Sequence, residues 1–264
     1  MKTSDHTLRA FHDAVAIITG GASGIGRALA EELVSRGAHV VLADLQIDLA
    51  QEVAANIRAQ GGKADAVEVN VTDASAVNAL VQNTVERAGR LDYMFNNAGV
   101  AVAGEARDHS LDDWNYILDI NLRGVIHGVQ AAYPVMIAQG FGHIVNTASV
   151  AGLFPTAFMI GYSATKHAVV GLSTSLRIEA AYDGVRVSVV CPGLIRTPIM
   201  DGGKYGRLLN VRKDEMLELV NTLKAMEPKP FAAKSSTPWP AMPRLLWCRH
   251  GTGCSGWGIV CRPP

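Results

Sequence analysis

The chain is 264 residues long, enough for one full-sized domain with a substantial core or for two small ones. Apolar residues make up 48% and charged residues 18%, which excludes a disordered or fibrous chain. The 24 basic residues are balanced by 24 acidic ones, so the electrostatic footprint of a nucleic-acid or anionic-membrane binder is missing and a small-molecule partner is expected. The opening Met1-Lys2-Thr3-Ser4-Asp5-His6 has no apolar run behind it, and no stretch reaches the ~18 apolar residues of a membrane span. A cytoplasmic protein is expected. Its 4 cysteines have neither CxxC spacing nor histidine partners at ligand spacing, so no disulfide framework and no metal site is read.

In chain order, six β-branched runs read as strands: Val15–Ile18, His39–Leu42, Ala66–Val69, Tyr93–Phe95, His143–Asn146 and Val185–Val190. Longer stretches with helical periodicity separate them. Alternation of this kind predicts an α/β fold of the Rossmann type, a doubly wound parallel sheet in three layers. Ser110-Leu111-Asp112-Asp113 reads as a capping box opening a long helix through about Ala138. One domain is expected over residues 1–227. From 228 to 264 the rhythm fails: after Glu227 there is no acidic residue, while prolines, tryptophans and cysteines accumulate.

Thr19-Gly20-Gly21-Ala22-Ser23-Gly24-Ile25-Gly26 follows the first strand and leads into a helix over Arg27–Ser35. Glycines in such a turn let the backbone approach a pyrophosphate, whose charge meets free N–H groups and the helix dipole. The second strand runs into Asp44 and Leu45, and Asp44 stands 18 residues beyond Gly26, where an acidic side chain can accept from both ribose hydroxyls. No basic residue stands at Ser23 or Leu45 to hold a 2′-phosphate, so NAD is expected over NADP.

Tyr162 and Lys166 are four apart in a helical segment reaching Glu179, which places phenol and ammonium on one face. Ser149 ends the fifth strand at its carboxyl side, where an open α/β sheet has its ligand crevice. An ammonium ~4 Å from the phenol is worth about 4 kcal/mol at an effective dielectric of 20, enough for most of a shift from ~10 to ~7. Lys166 is therefore expected to lower the Tyr162 pKa.

The glycine-rich octet, Asn96-Asn97-Ala98-Gly99, Asn121, Ser149, Tyr162-x-x-x-Lys166 and Pro192-Gly193, in this order between about Ala14 and Thr197, resemble the short-chain dehydrogenase/reductase family. The resemblance implies Tyr162 as catalytic acid/base, Ser149 orienting the substrate oxygen, Lys166 tuning Tyr162 and binding nicotinamide ribose, and Asn121 holding a relay water. It also implies that Asn97, Ala98 and Gly99 line the adenosine side, and that Pro192, Gly193, Ile195 and Thr197 approach the nicotinamide. At the family's usual adenine-contacting aspartate stands Asn70, beside Val71, whose amide can still accept from the adenine amino group. The implied activity is hydride transfer between NAD(H) and a secondary alcohol or ketone in a homodimer or homotetramer. The alternatives are an NAD-binding protein with little turnover, and a 3-oxoacyl thioester reductase. A substrate pocket is expected from Leu153–Met159 and from the residues after Thr197.

The family's chain returns after its substrate loop with a further strand, and Phe231–Pro264 contains nothing like one. When Ser236 onward is back-translated and read from the last base of each codon, suitable wobble choices spell YAVARNAAIIVVPARYGLLWVGHRL. That string contains a buried-strand run and resembles the end of some bacterial members of the family. The end of the chain is thus read as the product of a displaced reading frame that packs poorly, the alternative being a genuine divergent tail.

Overall fold

The computed structural model describes residues 8, 10–212, 214, 218 and 221–235. Strands β1 (Val15–Thr19), β2 (His39–Asp44), β3 (Lys63–Glu68), β4 (Tyr93–Asn96), β6 (Gly142–Thr147) and β7 (Val185–Val190) form one parallel sheet in the order β3-β2-β1-β4-β6-β7. Helices α1 (Gly24–Ser35), α2 (Ile47–Ala59), α3 (Ala74–Ala88), α4 (Leu111–Leu118), α5 (Gly124–Gln139) and α6 (Ile160–Ala180) connect or flank them. This is the expected doubly wound, Rossmann-type fold.

The two-residue period of a strand builds the two cores. Ile18 and Leu42 pack with Leu33 of α1 and Val53 of α2 on one face, while their neighbours Ile17 and Val41 pack with Leu80 of α3 and Met136 of α5 on the other. All five residues of β1 are buried, as a central parallel strand requires. The strand is pinned at its start by a fully buried carboxylate. Asp92 accepts from the Val15 N–H at 2.9 Å and is held by the Arg90 guanidinium.

Strand order reverses beside β1, between β2 and β4, and there the carboxyl ends of the strands splay into a crevice. Four features differ from the sequence reading. The third strand begins at Lys63 and ends at Glu68, because its polar edge residues hide the period. The long helix after Ser110 is broken by a π turn over Asp119–Arg123, between α4 and α5. A second, two-stranded sheet joins β5 (Ala101–Ala103) to β8 (Gly206–Leu208) in parallel, so the chain after β7 folds back over the crevice. Residues Pro228–Ser235 form a helix that continues the domain past 227: Phe231 and Ala232 are buried in the α1 core, and Lys229 pairs with Glu31 at 3.1 Å. Poor packing from Phe231 is therefore corrected as far as Ser235, since one apolar turn is enough to seat this segment on α1. The rest of the expected displaced-frame ending, 236–264, lies outside the described residues.

Candidate active site

A cleft of about 1130 Å³ opens along the carboxyl ends of the strands, beyond the ~300–1,000 Å³ of a single ligand pocket. Every site residue expected from the sequence lines it except Gly26 and Asn121. Both lie one layer behind. A Cβ on Gly26 would stand 2.0 Å from the Gly20 carbonyl oxygen, so Gly26 lets α1 close against the turn. Gly20 itself has φ of 65° and passes so near Ala98 that a Cβ would come within 2.9 Å of its Cα.

The nucleotide end is built by backbone. Ser23 is the N-cap residue of α1 and its side chain makes no capping bond, in contrast to Asp73 and Ser110 at α3 and α4. The first N–H groups of α1 therefore face the cleft without a side-chain acceptor, which suits a pyrophosphate. Thr19 Oγ1 accepts from the N–H groups of Asn97 and Ala98 at 3.0 and 3.1 Å, which ties Asn97-Ala98-Gly99 to the turn. Asp44 is buried at the end of β2, its oxygens accepting from Ala22 and Gln46 N–H at 3.0 and 2.9 Å, with one further lone pair left on each. Arg27, the basic group nearest this end in sequence, is bonded to Glu31 of its own helix at 2.9 Å. These features fit a dinucleotide. Asn70 requires a correction: its Oδ1 already accepts from the Thr72 N–H and hydroxyl, so the side chain offers the cleft its NH2 donor instead of an acceptor.

At the other end Ser149, Tyr162 and Lys166 converge. Ser149 begins the turn after β6, Tyr162 lies in the first turn of α6, and their hydroxyls are within hydrogen-bonding reach. Lys166 is buried one turn on, with Nζ donating to the Thr147 carbonyl at 2.8 Å and lying 5.5 Å from the Tyr162 ring centre. Burial pushes its pKa down to about 8. The expected lowering of the phenol is not found. Burial raises the Tyr162 pKa, and the bond from Ser149 offsets only part of that. The reason is geometric: the ammonium is turned to a carbonyl and the ring, while desolvation acts on the whole phenolate.

Asn121 sits in the π turn, fully buried, and spends its amide on Val100, accepting from its N–H at 2.8 Å and donating to its carbonyl at 2.9 Å. It thereby anchors the strand that carries β8. The expected pocket segments do line the cleft, through Phe154, Phe158, Met159, Ile199 and Tyr205. Tyr116 and Ile120 complete that wall and were missed. Their four-residue spacing just before Asn121 was the signal available.

Residues 14–204 match the family model of the short chain dehydrogenases. The chain is 40% identical over 185 residues to a 2,5-dichloro-2,5-cyclohexadiene-1,4-diol dehydrogenase of Sphingobium indicum, covering 70% of this chain and 74% of that one. It is 39% identical to a cyclohexanol dehydrogenase of an Acinetobacter species (72% and 76% covered) and 37% identical to a meso-2,3-butanediol dehydrogenase of Serratia marcescens (84% and 86%). A Burkholderia phymatum short chain dehydrogenase/reductase solved in complex with NAD superposes with a TM-score of 0.78 at 33% identity, over 86% of this chain and 85% of that one.

Proposed function

The chain belongs to the short-chain dehydrogenase family and is an oxidoreductase acting on CH–OH groups, and from that premise we propose that it moves a hydride between NAD(H) and a secondary alcohol or ketone with Tyr162 as acid/base. The observation that carries this reading is the convergence of Ser149, Tyr162 and Lys166 at one end of a cleft whose other end suits a dinucleotide. When bound, NAD supplies the two-electron acceptor or, reduced, the donor.

The chain's own residues do the rest. Ser149 and Tyr162 hold the substrate oxygen, and Tyr162 takes the hydroxyl proton in oxidation or returns one in reduction. Because burial keeps the phenol protonated, the resting side chain is set to donate. The Lys166 ammonium, 5.5 Å from the Tyr162 ring centre, would meet the ribose. The Asn121 side chain is committed to Val100, so a relay water would draw on its backbone. The relatives named for cyclohexanol, a cyclohexadiene diol and butanediol support small, largely apolar secondary alcohols as the substrate class.

The test is turnover of cyclohexanol with NAD, beside NAD binding, in the unmutated protein and in Tyr162→Phe. The variant should keep NAD affinity within a few-fold and lose about 10²–10⁴ in rate. Near-normal turnover would remove Tyr162 from its role.

A further inference from the structure

The substrate end of the cleft carries a second phenol that the reaction does not use. Tyr116 of α4 lines the cleft and packs, with Ile120 and Tyr162, against the small apolar cluster of Val100, Val102 and Ile117. It is therefore a near neighbour of the acid/base residue. Its ring is fixed from the far side by β8: the Arg207 guanidinium lies 4.3 Å over the ring centre and donates to Asp113 Oδ1 at 2.6 Å. Asp113 is locked in turn by the capping box, accepting from the Ser110 N–H at 3.0 Å. Among the described residues the Tyr116 hydroxyl makes no hydrogen bond. The same cleft is lined by the apolar side chains of Phe154, Phe158, Met159, Ile199 and Leu223.

A rigid phenol in such a wall is a directional donor, and a cation over the ring face draws electron density from it and strengthens its O–H. We propose that Tyr116 is a specificity-determining residue whose hydroxyl binds a second oxygen of the substrate, so that the site prefers diols and hydroxyketones over simple secondary alcohols. This rests on the dehydrogenase reading above. Arg207 and Asp113 are positioning residues, since they act through the ring.

The experiment compares cyclohexanol with cyclohexane-1,2-diol and cyclohexane-1,4-diol, by kcat and KM and by calorimetric binding to the NADH-loaded protein. Tyr116→Phe and Tyr205→Phe are measured alongside the unmutated chain. One neutral hydrogen bond predicts about a five- to tenfold lower KM and Kd for at least one diol than for cyclohexanol, and in Tyr116→Phe the diol constants should rise by that factor relative to those of cyclohexanol. Tyr205→Phe, which removes the other phenol of this wall, should leave the preference intact. Equal binding of diol and cyclohexanol by the unmutated protein would overturn the proposal, as would parallel losses for both substrates in Tyr116→Phe or loss of the preference in Tyr205→Phe. If no alcohol turns over, the dehydrogenase reading fails, while the binding comparison still decides the role of Tyr116.

Discussion

In the proposed dinucleotide site, Asp44 would face the ribose hydroxyl at which the two nicotinamide dinucleotides differ. The N–H groups of Ala22 and Gln46 fix the carboxylate plane, so it cannot swing away from a 2′-phosphate. Like charges ~5 Å apart repel by about 3 kcal/mol per unit charge at an effective dielectric of 20, and a lost charge-assisted bond adds ~1.5–3 kcal/mol. NAD should therefore bind at least tenfold more tightly than NADP even after solvent screening. Asp44→Asn keeps an acceptor for the turn but removes the charge, so it should narrow that ratio. Asp44→Ala should also weaken both cofactors by releasing the Ala22 N–H. Titration with both cofactors checks this, and a ratio the same in all three proteins would show that Asp44 does not face the ribose. The place of Asp44 at the end of β2 was legible in the sequence because strand end and acidic residue coincide there. The direction of the Tyr162 shift was not, because it depends on burial and on where Lys166 points, and spacing alone contains neither.

Strand β6 carries the second testable charge effect. His143 is fully buried in mid-sheet, bonded through Nε2 to Ser188 Oγ of β7 at 2.9 Å, beside the Tyr93 ring and near Arg186. Burial first, and Arg186 second, push its pKa down to about 3. The unfolded chain takes up this proton near pH 6.5 and the folded chain does not, so the contribution is complete above ~6.5 and is lost progressively on acidification towards 3. Unfolding free energies from denaturant titrations between pH 7.5 and 4.5 should fall with a component of up to ~1.4 kcal/mol per pH unit that His143→Asn removes. An unchanged slope in that variant would show that His143 is not the group responsible. The main strands were legible because buried parallel strands are apolar on both faces, as at Ile17 and Ile18. The β5–β8 pair and the π turn were not. Their residues are few, and they exist through tertiary bonds such as Asn121 to Val100 and Leu209 N–H to the Ala103 carbonyl.

For the whole molecule, the decisive feature is where the folded pattern sits relative to the change in sequence character. The sheet runs from β3 to β7, and among the described residues nothing pairs with the outer edge of β7. The segment after the substrate loop still returns correctly: Met226 bridges to Ile195, and Phe231 and Ala232 seat on α1. The alternative frame begins to spell a family-like ending at position 236, directly after Ser235, the last described residue of the helix that starts at Pro228. On the displaced-frame reading the shifted ending would contain the run IIVV, four β-branched residues suited to the edge of β7 that no described residue covers. Pairing that edge should raise the thermal midpoint, by ~2–4 °C for each kcal/mol gained in a domain of this size. The comparison needs two proteins, this chain and one identical through Ser235 that then continues in the shifted frame. Their melting curves and their tendency to aggregate are measured side by side, together with the gene sequence of an independent isolate. A shifted ending that leaves the midpoint unchanged, or an independent gene carrying the present frame, would overturn the displaced-frame reading.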